Sequence, residues 1–173
     1  MLKGEKVRLR AFEMADSEED YLFVSDSETI LTMYKGLPFP YTRKDEQEWL
    51  GGQSGYTRGE YQFAVETLDR QYVGRCGIIS MDWKNRVAEL AMMIGTPYRS
   101  LGYATDAVSL LCDFCFSQLN LHRLKASVLD FNTPALRVYE HCGFREEGRL
   151  REEVFRSGAY RDVVLLGRLE SEG

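Results

Sequence analysis

The apolar positions of this chain follow two different periods. Between residues 61 and 94 they alternate or run on in three segments, 61–68, 72–83 and 86–94. Short polar links, Asp69-Arg70-Gln71 and Lys84-Asn85, separate the segments. A period of two broken by such links predicts a three-stranded antiparallel meander. From residue 105 to about 119 the period lengthens. Ala104, Ala107, Val108, Leu111, Phe114 and Cys115 recur at helical spacing and define a core-facing stripe. Upstream, Val7, Leu9 and Ala11 alternate with Arg8 and Arg10, an opening strand over residues 7–12. The acidic start Asp16, Glu18, Glu19 and Asp20 suits the first turn of a helix over residues 16–25, and residues 26–34 continue as helix.

Pro38 and Pro40 then interrupt. Thr42 with Asp45 three residues on predicts a capping box ahead of a helix over residues 46–50. Gly51, Gly52, Gly55 and Gly59 mark a turn-rich passage. Downstream, residues 123–129 read as a short strand, and Asn132-Thr133-Pro134 opens a helix that ends at Gly143. Residues 144–155 and 160–169 form a closing hairpin around Ser157-Gly158. This order predicts an α/β domain of the α+β type over residues 1–173. Its mixed, mostly antiparallel sheet has six to seven strands flanked by helices.

Composition narrows the function. At 173 residues the chain suits one domain. Its net charge of -5 gives no general attraction to nucleic acid or anionic membranes. The start Met1-Leu2-Lys3-Gly4-Glu5-Lys6 is charged, and no run of about 18 apolar residues occurs, so a cytoplasmic location is expected. Cys112 and Cys115 have the gap of redox and zinc motifs, but they fall inside the helical stripe. With Cys76 and Cys142, they read as small buried hydrophobes, with no metal expected.

The chemistry-bearing segment is Arg99-Ser100-Leu101-Gly102-Tyr103-Ala104, which follows the apolar run Leu90-Ala91-Met92-Met93-Ile94 and precedes the long helix. A strand that turns through a glycine into a helix leaves unpaired backbone N–H groups at the positive end of the helix dipole, a cradle for phosphate. Neither a Gly-x-x-x-x-Gly-Lys-Ser/Thr loop nor an N-terminal Gly-x-Gly-x-x-Gly is present. What remains, Arg-x-x-Gly-x-Ala, is common as a bare pattern. Its plain alternative is an ordinary strand-to-helix turn with a solvated arginine.

A second motif lies downstream, running from Asn132-Thr133-Pro134-Ala135 through Tyr139 to Gly143-Phe144. With Arg99, Gly102 and Ala104 after a strand, and with this element order, the chain resembles the GNAT superfamily of acyl-CoA-dependent N-acetyltransferases. Residues 120–124 and the tail 146–169 resemble the RimJ/RimL-type enzymes, which acetylate protein N-terminal amines, and the spermidine N-acetyltransferases. Where RimL-like enzymes often carry a serine three residues after the asparagine, this chain has Ala135. The resemblance therefore points to the tyrosine-based variant.

The resemblance implies acetyl-CoA as cosubstrate, no metal, and direct attack of a primary amine on the thioester. The amine would be a protein N-terminal α-amine, a polyamine or another small amine, and the enzyme a homodimer. Glu89, a charged residue in an apolar strand, is the candidate general base through a water, against a solvent-facing or salt-bridged glutamate as the alternative. Tyr139 is the candidate acid for the leaving thiolate. Its alternative is a core tyrosine in the stripe Ala135, Val138, Tyr139 and Cys142. The backbone of Met92, Met93 and Ile94 would pair with the pantetheine arm, with an N–H near Met92 as oxyanion donor. The amides of Leu101, Gly102, Tyr103, Ala104 and Thr105 would hold the pyrophosphate, assisted by Arg99 and Ser100. Asn132 would bond the cofactor or cap its own helix.

Asp16, Glu18, Glu19, Asp20, Glu28 and Glu46, against Arg43, Lys44, Arg151 and Arg156, could make an acidic acceptor cleft suited to a polyamine. Ordinary solvated helix charges are the alternative. The rival function of another class is a non-catalytic acyl-CoA-binding sensor or interaction module, which would not need Glu89 or Tyr139.

Overall fold

A computed structural model of the chain describes residues 1–33, 39–53 and 61–172. Pro38, Gly55, Gly59 and the end of the helix predicted over residues 26–34 lie outside the described residues. The strands are β1 (Leu2–Lys3), β2 (Val7–Arg10), β3 (Tyr61–Thr67), β4 (Tyr72–Asp82), β5 (Val87–Ile94), β6 (Arg123–Leu129), β7 (Arg145–Arg156) and β8 (Ala159–Leu169). The helices are α1 (Ser17–Val24), α2 (Ser27–Thr32), α3 (Arg43–Gly51), α4 (Tyr103–Ser117) and α5 (Thr133–His141). All eight strands form one sheet in the order β1-β2-β3-β4-β5-β6-β8-β7. Every neighbouring pair is antiparallel except β5 with β6. The strand beyond the expected six to seven is β1, two residues long and too short to carry a period.

The elements form where the sequence places them. Val7 and Leu9 of β2 are fully buried while the alternating Arg8 and Arg10 are not. The Thr42–Asp45 capping box closes the start of α3, with Asp45 N–H donating to Thr42 Oγ1 at 3.1 Å and Thr42 N–H to Asp45 Oδ2 at 2.9 Å. Gly143, at φ +83, terminates α5. The stripe of α4 buries Ala107, Val108, Leu111, Cys112 and Cys115 against one face of the sheet. Fully burying a side chain such as Leu111 is worth about 1.5–3 kcal/mol.

That face, with α4 and α5, holds the main core, including Ala88 and Leu90 of β5. The other face of β3–β5 carries a smaller cluster of Phe23 from α1, Ala64 and Tyr72, with Met93 against it. All four cysteines are buried free thiols, as the helical spacing of Cys112 and Cys115 implied. Burial pushes the Cys112 thiol up to about 12 and the Cys142 thiol up to about 11.

Candidate active site

The site begins where β5 and β6 part. The two strands pair through Val87↔Arg123, Ala88↔Leu124 and Glu89↔Lys125, and there the parallel ladder ends. Beyond it β5 stays with β4 as far as Ile94, and β6 stays with β8 as far as Leu129. A wedge therefore opens along Leu90–Ile94 whose one wall is strand backbone. A bulge in β4 between Ile78 and Ser80 lies opposite Leu90 and Glu89, at the level where the wedge starts.

Glu89 and Tyr139 meet this point from opposite faces. Glu89 is 8% exposed and accepts a hydrogen bond from Ser127 Oγ at 3.0 Å. It lines a cavity of about 270 Å³ together with Arg123, Lys125, Ser127, Glu147 and Leu150. Tyr139 is 3% exposed in the main core, its ring edge-on to Phe144 at 5.1 Å. Its hydroxyl donates to the carbonyl of Leu90 at 3.5 Å, the residue next to Glu89. Burial pushes its phenol above the usual tyrosine range, so it stays protonated at neutral pH. Tyr139 is therefore a core tyrosine by packing, and its one polar atom reaches the wedge.

The wedge leads to the loop before α4. Ser100 at φ +63 and Gly102 at φ +84 are both left-handed and reverse the chain around Leu101. Gly102 takes that conformation without the steric cost an L side chain would meet. It is the N-cap of α4, and its carbonyl accepts the first helical bond from Asp106 N–H at 3.2 Å. The amides of Tyr103, Ala104 and Thr105 in the first turn have no carbonyl one turn back to bond. Met92 packs against the main core, Met93 against the smaller cluster, and Ile94 gives its carbonyl to Arg99 Nε at 3.1 Å. Asn132 caps α5, its Oδ1 accepting from Ala135 N–H at 3.3 Å.

Two expectations change. The Arg99 side chain is engaged away from the loop: Nη1 meets Glu28 at 2.8 Å and Nη2 meets Thr29 Oγ1 at 2.7 Å. With Nε on Ile94, the guanidinium fastens α2 to the segment after β5. The acidic residues of the N-terminal helices, among the described residues, each have a partner, although Glu18 and Glu28 stay largely exposed. Asp16 pairs with Arg10, Glu18 with Arg43, Glu28 with Arg99, and Asp20 and Glu46 with Arg75. Glu19 accepts from Gln71.

Sequence reasoning missed three residues at the site. Ser127 holds Glu89. Asp106 accepts the backbone N–H groups of Glu5, Lys6 and Val7 at 3.3, 2.8 and 2.9 Å, tying the β1–β2 turn to the start of α4. Lys6 Nζ donates to the Leu101 carbonyl at 3.0 Å. Only the acidic residue in the first turn of α4 carried a local signal, through the helix dipole.

Comparison with known proteins bears on this geometry. Residues 6–145 match the acetyltransferase (GNAT) domain. The spermidine N(1)-acetyltransferase of Vibrio cholerae is 34% identical over 133 residues, 77% of each chain. That of Escherichia coli K12 is 30% identical over 166 residues, covering 96% of this chain and 87% of its own. The crystal structure of a GNAT-family acetyltransferase from Bacillus anthracis superposes with a TM-score of 0.86 at 25% identity, over 99% of both chains. The Vibrio cholerae spermidine N-acetyltransferase in complex with CoA and spermine also gives 0.86, at 28% identity and 96% coverage of both. A wedge bounded by strand backbone, followed by a glycine-led helix start, fits the pantetheine arm and pyrophosphate of such a cosubstrate. By the matched domain and these relatives, the chain belongs to the GNAT family and is an acetyl-CoA-dependent N-acetyltransferase.

Proposed function

We propose that the protein moves the acetyl group of acetyl-CoA to a primary aliphatic amine by direct attack, with Glu89 as base and Tyr139 as acid. The observation that carries this reading is their arrangement. A carboxylate beside a cavity and a phenol hydroxyl approach the same point of β5 from its two faces, where β6 departs. Glu89 takes the proton of the ammonium through a water, since a protonated amine has no lone pair. The amine nitrogen then forms a bond to the thioester carbonyl carbon as the carbon–sulfur bond breaks. A backbone N–H near Met92 holds the charge that develops on the carbonyl oxygen. Tyr139 gives its proton to the departing thiolate, and the second proton shed by the acetylated nitrogen restores the phenol, while Glu89 releases the first to solvent. The amides of residues 101–105 hold the pyrophosphate, and Asn132, whose Oδ1 caps α5, keeps its amide nitrogen for the cofactor arm.

Two relatives carrying the name spermidine N(1)-acetyltransferase support a polyamine as the first acceptor to test. The acidic residues of α1–α3 give that choice no further support, because each is already held by a cation or an amide. A peptide α-amine is the second acceptor. The test is acetyl-CoA-dependent thiol release with spermidine, spermine, peptides with free N-termini, lysine peptides and an aminoglycoside, each repeated with Glu89→Gln. Release with one amine class, lost in the variant, is expected. Full release with Glu89→Gln would remove Glu89 from the chemistry. No release with any amine despite CoA binding would favour a sensor.

A further inference from the structure

The loop that receives the cofactor lacks the charge its sequence advertises. All three kinds of guanidinium nitrogen on Arg99 are engaged with Glu28, Thr29 and Ile94, so the formal charge is neutralised on the α2 side. A different cation stands at the loop. Lys6, from the turn between β1 and β2, extends its ammonium to the Leu101 carbonyl at 3.0 Å, and its Nζ lies 2.6 Å from where a Cβ on Gly102 would be.

This placement is built rather than incidental. Asp106, in the first turn of α4, receives the N–H groups of Glu5, Lys6 and Val7. The carboxylate thereby fixes the Lys6 backbone to the same helix start whose amides face the loop. Among the described residues, no carboxylate lies within ion-pair distance of the Lys6 ammonium, whose hydrogen bond is to Leu101. An ammonium has three donors, so two remain for an oxyanion. The side chain is exposed and its stem flexible, which lets the head swing over the glycine without moving the backbone.

We propose that Lys6 supplies the positive charge that meets the pyrophosphate of acetyl-CoA at the loop, the role that Arg99 leaves vacant. The inference rests on the cofactor assignment above and adds a residue 93 positions from Arg99 in sequence. The helix start contributes dipoles and amides, Gly102 contributes access, and Lys6 contributes the full charge that those partial charges lack.

Titration calorimetry on the full chain tests it, with CoA, 3′-dephospho-CoA and pantetheine as probes, on the native protein, Lys6→Gln and Lys6→Arg. Lys6→Gln keeps a donor for Leu101 and removes the charge. The Kd for CoA should rise about tenfold in Lys6→Gln and stay within about threefold of native in Lys6→Arg, the size expected of one charge-assisted contact. The same rise should appear with dephospho-CoA, which keeps the pyrophosphate, and vanish with pantetheine, which has no phosphate. Lys6→Gln binding CoA within twofold of native would overturn the proposal. So would a defect that disappears with dephospho-CoA, because the charge would then read the 3′-phosphate. A native protein that fails to bind CoA would overturn the cofactor assignment itself, an outcome distinct from both.

Discussion

Removing one oxygen atom separates the two roles open to Tyr139. In Tyr139→Phe the ring keeps its place in the core and its edge-on contact with Phe144. The lost hydrogen bond, at 3.5 Å, sits at the outer edge of the useful range. Its removal should therefore cost at most about 1 kcal/mol, or about 2–4 °C in Tm for a chain of this size. Loss of a positioned acid acts on a different scale, about 10²–10⁴ in rate. A thiol with pKa near 8.5 leaves with only modest help, which places the expected drop in kcat near the lower end, about a hundredfold. That corresponds to roughly 2.7 kcal/mol of transition-state stabilisation at 1.36 kcal/mol per tenfold.

Thiol release at saturating acetyl-CoA and amine reads kcat, and a thermal melt reads stability. A kcat within threefold of native, with a Tm lower by no more than about 4 °C, would refute the acid role and leave a core tyrosine. The pH profile supplies a second check. Burial holds the phenol above its ordinary value, so it stays protonated through about pH 9. A native alkaline limb near pH 8 that vanishes in Tyr139→Phe would contradict the buried environment on which this reasoning depends.

Other outcomes follow from neighbouring features. Glu46 is buried beside Asp20, and burial together with the bond it shares with that carboxylate pushes it up to about 8. A carboxyl raised in the folded state stabilises fully below its unfolded value of about 4.5 and loses that contribution as pH rises through about 8. Tm should fall across that window and flatten in Glu46→Gln, and equal slopes in both proteins would contradict it. Asp106→Ala removes three backbone hydrogen bonds and releases the β1–β2 turn, so it should lose about 2 kcal/mol in urea unfolding and weaken CoA binding. A variant that loses neither would show that the turn is held by its own strands. Gly102→Glu should abolish CoA binding while the chain stays folded by circular dichroism. A left-handed L residue there costs roughly 1–2 kcal/mol, too little to unfold the domain. Unchanged CoA affinity in that variant would sink the cradle.

Local signals made most of the fold legible. The meander, the α4 stripe, the Thr42–Asp45 box and the Gly143 stop each depend on residues within a turn or a strand of one another. Glu89 and Tyr139 could be picked out, but their meeting at Leu90 depends on where β6 leaves β5, which no local pattern states. Charge was the least readable layer. The loop arginine pairs with Glu28, 71 positions away, and the loop's lysine comes from 95 positions before the carbonyl it touches. A sequence lists charges without saying which are already neutralised, so Arg99 stood out while Lys6 passed as part of a charged N-terminus. The acidic helices left two readings open for the same reason, since their partners lie on β2, β4, α3 and the segment after β5.

The burial of the four cysteines bears on how this enzyme can be measured. A thiol reacts as thiolate and only when reagent can reach it, and here both conditions fail in the folded chain. A chromogenic disulfide that detects released CoA should therefore find no signal from the native protein itself. On unfolding, four sulfhydryls per chain become available at once. The reagent that counts turnovers thus also reports the integrity of its own catalyst, with product rising steadily during catalysis and a stoichiometric burst of four marking denaturation.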